Sequence, residues 1–408
     1  MTSSDTQKSQ FLELLLQVAR EFGSDKVIDR FRHIKSEREK YLREQWKDQL
    51  GDEGPAIFRD VDFDHLRVLL YDYLEKDTNK HFQFNTELVK TCIQFNEYEK
   101  AREILKGLLD KEVSNKKRAK ILMLMGKVAL LRNEYEQSRE YYKSALEIHK
   151  RLQNYRGVAS AYNNLGIISH EQWRAQTGRK YFEDAKKLDP YYDDQQIKIS
   201  VQINLGIVYN IQGDYSKAFE IFESLLGEIE GSNDIAKLQL LINQGISARD
   251  DGQHSSAIKI LKESIKLSSK INNKRLLALS KLALGETSVL TGKLDQCNEN
   301  LIDAFKKFSH LHDKVRIADT YRVFGLLHIE REQYELAESE IQISLRINNE
   351  NGNIPNLAES YKAYSKLAKI RGDTAKQREY LQKALALCET MQATRRVERL
   401  QEEIDLLA

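Results

Sequence analysis

Between residues 196 and 230 apolar side chains recur at helical spacing, stop, and start again. Ile199, Ile203, Leu205, Val208 and Tyr209 give helix-spaced apolar faces along QIKISVQINLGIVYNIQ. The next residues, GDYSK, carry turn chemistry: glycine tolerates a left-handed helix end, and aspartate can cap the helix that follows. A second helical pattern, KAFEIFESLLGEI, comes next, so the segment predicts helix–turn–helix.

The same pattern returns along most of the chain. Anchored on Gly126, Gly166, Gly206, Gly245, Gly285 and Gly325, the gaps are 40, 40, 39, 40 and 40 residues. Twelve residues after each anchor stands a small side chain: Ser138, Gly178, Ala218, Ala257, Cys297 and Ala337. Four further on stands a larger apolar or aromatic one: Tyr142, Phe182, Phe222, Leu261, Leu301 and Ile341. Small residues at the first two positions let the helices of a pair approach closely, because a larger side chain would push their axes apart. Weaker copies are anchored at Val89 and Ser365, giving about eight repeats. The GDY turn recurs as NEY at 96–98 and 133–135, GKL at 292–294, EQY at 332–334 and GDT at 372–374.

Three segments precede the array. Residues 6–22 and 61–76 read as helices. Between them, residues 24–50 form a highly charged stretch whose stripe is Val27, Phe31, Ile34, Tyr41, Leu42 and Trp46. After the array, Met391, Val397, Leu400, Ile404 and Leu407 mark one face of a last helix. Its opposite face holds Arg395, Arg396, Glu398, Arg399, Glu402 and Glu403, which suits a helix capping the open end of a solenoid. The expected architecture is all-α: a right-handed α-solenoid with an N-terminal helical bundle or cap at 1–78, repeats over 79–389 and a C-terminal capping helix at 390–408.

Composition sharpens this picture in a few places. Only three prolines interrupt 408 residues, so long helices can run. A formal net charge of +2 gives no bulk drive toward nucleic acid. The longest apolar stretch, ILMLMGKVALL, is too short to span a bilayer, and MTSSDTQKSQ has no signal-peptide pattern, so a cytoplasmic protein without membrane insertion is expected. Cys92, Cys297 and Cys388 have no paired spacing and read as buried thiols. His310 and His312 lack a third ligand nearby in sequence, so no metal or other cofactor is expected. No phosphate-binding glycine loop, GxSxG or HExxH occurs, and the chain is read as non-enzymatic.

Leu165, Gly166, Phe182, Ala185 and Pro190, together with Leu205, Gly206, Tyr209, Ala218 and Phe222, resemble the tetratricopeptide-repeat family over about residues 80–388. The family unit is 34 residues, and the longer period here implies about 9 Å more helix per pair. The resemblance implies that the first helix of each pair lines a concave face. Two positions before the anchors, that face would carry Asn164, Asn204 and Asn243, and four positions after them His170, Asn210 and Arg249. Asparagine amides both donate to and accept from a peptide backbone, although asparagine here can equally bond neighbouring helices. Glu286, Arg322, Lys362, Lys366 and Lys369 make the groove more charged, with a basic end suited to an acidic segment or a free carboxylate.

The expected function is a scaffold or adaptor that holds a peptide or helix of a partner protein in this groove; self-association is left open. The alternative is a peptide-sensing bacterial regulator that resembles the Rap-type response-regulator phosphatases. In those a bundle glutamine positions water, and Gln45 and Gln49 lie in the second N-terminal helix here.

Overall fold

The computed structural model describes residues 16–18, 20–21, 25–45, 78–111, 114–229 and 234–407. Among these residues every regular element is a helix. The predicted helices at 6–22 and 61–76 lie outside them, apart from a few residues near position 20. The chain divides into two compact units, Met1–Gln153 and Asn154–Ala408, and the divide falls inside the predicted array.

The first unit holds α1 (Asp25–Gln45), α2 (Thr78–Gln94), α3 (Tyr98–Leu109), α4 (Asn115–Leu131) and α5 (Tyr135–Arg151). Its core joins Ile28 and Phe31 of α1 to Phe84, Leu88, Val89 and Cys92 of α2, Ile104 and Leu105 of α3, and Ile121 and Met125 of α4. Within the charged 24–50 segment residues 25–45 are helical and Phe31 of the predicted stripe is buried, whereas Trp46 and the side chains of Val27, Tyr41 and Leu42 lie outside what the structure describes. Gln45 is the last residue of α1, and Gln49 lies outside the described residues.

The second unit is an α-solenoid of antiparallel hairpins. It runs through α6 (Tyr155–Glu171), α7 (Ala175–Lys186), a 3-10 turn at Asp189–Tyr191, α8 (Gln195–Gln212), α9 (Tyr215–Glu228) and α10 (Asp234–Asp250). It continues through α11 (His254–Lys270), α12 (Lys274–Leu290), α13 (Leu294–His310), α14 (Lys314–Glu330) and α15 (Tyr334–Glu350). It ends with α16 (Ile354–Ile370), α17 (Thr374–Thr390) and α18 (Thr394–Asp405). Each helix packs on the next.

The anchor glycines do what their spacing implies. A Cβ on Gly166 would stand 2.5 Å from Phe182, and one on Gly325 would stand 2.5 Å from Ile341, in each case the residue sixteen positions on. At Gly126 the small partner also contributes a bond, Ser138 Oγ donating to the Gly126 carbonyl at 2.7 Å. The repeat has a finer beat than forty residues. From α11 to α17 every helix is 17 residues long, and positive φ recurs at Gly252, Asn272, Gly292, His312, Glu332, Gly352, Gly372 and Gln392. Both turns of each repeat therefore close alike, and four of these eight residues are not glycine. Side-chain caps mark the starts of first helices: Asp194 accepts from the N–H of Ile197, and Asn273 from that of Leu276, each at 3.0 Å.

One expectation about a polar residue needs correction. Gly213 has the left-handed conformation, with φ +85°, but Asp214 does not cap α9. The charged face of the last helix is not wholly solvated. α18 packs on α17, burying Met391, Leu400 and Ile404, and it also reaches back to the beginning of its own unit. The backbone N–H of Ala175, the first residue of α7, donates to the carbonyl of Met391 at 3.2 Å. Trp173 packs into the C-terminal core, and Gly213 faces the stem of Arg396, where a Cβ would meet Cγ at 3.0 Å. Arg395 pairs with Asp214, and the Arg399 guanidinium lies 5.2 Å from the Tyr215 ring centre. The solenoid of this unit curls until its last helix also rests on its first hairpins, so α18 both covers the last hairpin and closes an interior.

Candidate functional site

The interior that α18 closes is a cavity of about 440 Å³. Its apolar wall is Ile242 and Ile246 of α10 with Leu279, Leu282, Ala283 and Leu290 of α12. Its polar wall is charged. α10 supplies Arg249 and Asp250, α12 Glu286, α14 Arg316, Asp319 and Arg322, α16 Glu359 and Lys362, and α18 Arg396 and Arg399. Asn210 and Tyr215 complete it. Except for Tyr215 and those on α18, these residues come from the first helices of successive repeats, so one face per turn of solenoid builds the site.

The charges form a chain. Glu286 gives one oxygen to Arg249 (2.5 Å to Nη1) and the other to Arg322 (2.7 Å to Nη1). Arg249 Nε also donates to Asp250 at 2.7 Å. Asp319 takes Arg316 at 3.0 Å and lies 3.6 Å from Arg322. Glu359 receives Arg396 on one oxygen and lies 3.4 Å from Lys362 with the other. Burial opposes ionisation of Glu359, but Lys362, Arg396, Arg322 and Arg249 outweigh it and hold the carboxyl far below the usual carboxylate range. Burial likewise opposes charge on Glu286, and Arg249 and Arg322 reverse the balance. For Arg249, Arg322 and Arg396 burial works against the cation, and the neighbouring carboxylates push their pKa values up all the same. Glu286, Glu359, Arg249, Arg322 and Arg396 thus hold one another in their charged forms.

Beside the cavity lies a larger groove of about 960 Å³. Gln195, Gln196, Asn204 and Gln239 line it with amides, and Ile199, Ile203, Ile229 and Ala236 with apolar surface. On α10 groove and cavity share one face: Gln239 lines the groove, and Ile242, Ile246 and Arg249 follow it into the cavity at intervals of three and four residues. The same order runs along α8, from Asn204 to Asn210.

Of the residues singled out in the sequence, Asn210, Arg249, Glu286, Arg322 and Lys362 meet around the cavity. Asn210 accepts from Ser247 Oγ at 2.9 Å. Asn204 lines the groove, and its amide donates to Asn163 at 3.0 Å. Asn243 is half-buried on α10. Asn164 is turned to its own helix, donating to the Ser160 carbonyl at 2.9 Å, and His170 lies beside Glu171 and Trp173. Lys366 pairs with Glu330 at 2.6 Å, away from both depressions. The asparagines thus do not form one continuous row. Asp319 and Glu359, each six positions before an anchor, were not singled out, although the repeat register locates them. Arg396 and Arg399 carry no such signal, because only the closure of the unit brings α18 to the cavity.

Residues 157–227, which span α6–α9, match the family described as tetratricopeptide repeat. That stretch is built of tetratricopeptide repeats. No curated protein matches the sequence of the chain. Among solved structures, the chain is similar to the apo form of the quorum sensor NprR from B. thuringiensis, at TM-score 0.59 and 15% identity, covering 85% of this chain and 99% of that one. It is similar to aspartyl phosphate phosphatase F from Bacillus subtilis, at TM-score 0.57 and 13% identity, covering 95% of each. A third likeness is to the Rap conjugation gene regulator of the plasmid pLS20 in complex with the Phr* peptide, at TM-score 0.56 and 15% identity, covering 79% of this chain and 93% of that one. At such identities the likeness is one of fold. Among the described residues no helix is long and apolar enough to cross a membrane.

Proposed function

We propose that the second unit is a non-catalytic receptor for a short extended peptide. The peptide lies along the shared face of α8 and α10 and ends in the charged cavity. The observation that carries this reading is the succession of amide groove and cavity along that face. From Gln239 to Arg249 a helix rises about 15 Å, at roughly 1.5 Å per residue. That length accepts four or five extended residues at about 3.3 Å each. Gln195, Gln196, Asn204 and Gln239 can both donate to and accept from a backbone, while the isoleucines between them take apolar side chains. A preformed, rigid interior loses little ordering entropy when the ligand binds. The peptide named in the Rap regulator complex is in keeping with a fold of this kind holding a peptide. The ligand delivers a signal or a partner; the protein holds it and performs no bond chemistry.

The test is a randomised pentapeptide mixture equilibrated with the purified full chain, separated by size exclusion and read by mass spectrometry. Specific sequences are retained by wild type and lost from an Asn204→Ala, Gln239→Ala variant of unchanged thermal stability. Equal retention by both proteins, or retention by neither, refutes the groove.

A further inference from the structure

Several cations on the second helices of the hairpins are engaged within their own unit. On α17 Lys376 pairs with Asp373, Lys383 pairs with Glu379, and Arg378 donates to the carbonyl of Leu407. On α13 Lys307 is held by Asp303, and on α9 Lys217 lies over the Tyr209 ring. The second helix α11 differs. Its four lysines, Lys259, Lys262, Lys266 and Lys270, are all exposed, and none has an ion pair among the described residues. The one acid of that helix, Glu263, lies 3.9 Å from Lys237 of α10 instead. At intervals of three, four and four residues the lysines fall in one row. The row runs along the side opposite the buried Ala257, Leu261, Ser264 and Ser268.

The last helix, α18, carries the opposite remainder. Its three arginines are all turned to their own unit, Arg395 to Asp214, Arg396 to Glu359 and Arg399 to the face of Tyr215. Glu398, Glu402 and Asp405 are exposed, and no cation pairs with them among the described residues. At intervals of four and three residues they form a row opposite the buried Leu400 and Ile404. Laid antiparallel, the two rows are in register. Lys259, Lys262 and Lys266 stand about 4.5 and 6 Å apart along α11, at roughly 1.5 Å per residue. In the reverse chain direction Asp405, Glu402 and Glu398 stand about 4.5 and 6 Å apart along α18.

We propose that two copies of this chain associate through these faces, α18 of one copy lying antiparallel on α11 of the other. Lys259 then meets Asp405, Lys262 meets Glu402, and Lys266 meets Glu398. A second copy is the fitting occupant because each row is left unpaired within one chain, and the chain itself supplies the complement at the same spacing. The antiparallel arrangement also sets the two helix dipoles against each other. Since every copy offers both faces, the contact made twice closes a dimer with twofold symmetry. Solvated pairs of this kind are individually weak and screened by salt, so the association depends on ionic strength. None of these six residues lines the groove or the cavity, and the inference therefore stands apart from the peptide reading.

Analytical ultracentrifugation of the purified full chain over a range of protein concentrations tests this. A species heavier than one chain is expected in about 20 mM sodium chloride, and it dissociates as the salt is raised to about 500 mM. One variant carries Lys262→Glu with Lys266→Glu, and a second carries Glu398→Lys with Glu402→Lys. Both change only exposed side chains, so circular dichroism and the thermal midpoint should match wild type. Alone at low salt, each variant sediments as a single chain, because its two rows now repel at the substituted positions. An equimolar mixture recovers the heavier species, since each row finds its complement on the other variant. A wild-type chain that sediments singly at low salt overturns the proposal. So does a heavier species that survives high salt or persists in either variant alone. A mixture that stays dissociated overturns the pairing of these two rows.

Discussion

Arg395 of α18 approaches Asp214, in the turn between α8 and α9, to 2.5 Å between Nε and Oδ1, although most of the second unit lies between them in sequence. Charge draws the two together without the alignment of a hydrogen bond, since Asp214 Oδ1 has no such partner among the described residues. Arg395 is about half exposed, whereas its neighbour Arg396 is 10% exposed and bonded to Glu359. The adjacent arginines should thus separate in a urea titration. Arg395→Ala is expected to cost less than about 1 kcal/mol, the range of solvated pairs. Arg396→Ala leaves Glu359 with Lys362 as its one direct ion pair among the described residues and is expected to cost about 3 kcal/mol. Equal costs would show that α18 is not held by its buried face.

Removing residues 392–408 takes Ala393, Leu400 and Ile404 out of the core against which Trp173 packs. The chain has two tryptophans, so the emission of Trp173 is read cleanly in a Trp46→Phe background. Truncation should shift that emission to the red and lower the thermal midpoint by at least about 5 °C. Unshifted emission would contradict the closure.

The anchor glycines predict a contrast within one residue type. Gly325→Ala drives a Cβ to 2.5 Å from Ile341 and is expected to cost about 1–3 kcal/mol by overpacking. Adding Ile341→Val should recover part of that loss. Gly227→Ala, inside α9 with nothing within 4 Å of the new Cβ, should instead stabilise by about 0.5–1 kcal/mol. Chemical denaturation of the three variants decides it.

Acid should weaken the second unit through its buried carboxylates. Glu286 and Glu359 have pKa values lowered in the fold. Their contribution is therefore complete above the unfolded value of about 4.3 and is lost as pH falls from there toward the folded values. Stability should be level between about pH 5 and 7 as far as these groups are concerned, and fall below about pH 4.5. Glu359→Gln should flatten that fall. An unchanged profile would show that the cations around Glu359 do not stabilise its charge.

Cys297 and Cys388 are buried, and burial pushes the Cys297 thiol up to about 12 and the Cys388 thiol upward as well. Neither should react with a disulfide reagent in the native protein at pH 8, and both should react fully in urea. Rapid native labelling would indicate that the unit opens readily.

Much of this was legible in the residue pattern, and the reason is locality. Gly166 and Phe182 meet because a hairpin of two helices brings positions sixteen apart together, and that geometry repeats wherever the spacing repeats. Arg249, Glu286 and Arg322 were legible for the same reason: first helices of neighbouring repeats stand side by side. Arg395, Arg396 and Arg399 read only as the charged face of a capping helix because nothing local points to other partners. Their partners Asp214, Glu359 and Tyr215 are reached only after the small rotations of successive repeats accumulate into a closed turn. Asp214 illustrates the cost of local reasoning. Its position favours a helix cap, but its carboxylate is directed to Arg395 instead.

An open array of hairpins can gain or lose a member at little penalty, because each one answers only to its neighbours. The bond from Ala175 to Met391 removes that freedom from the second unit. One hairpin more or fewer would rotate α18 past Trp173 and Asp214, and the enclosed space would lose its last wall. Here the number of hairpins is a stereochemical quantity, fixed like the number of atoms in a ring.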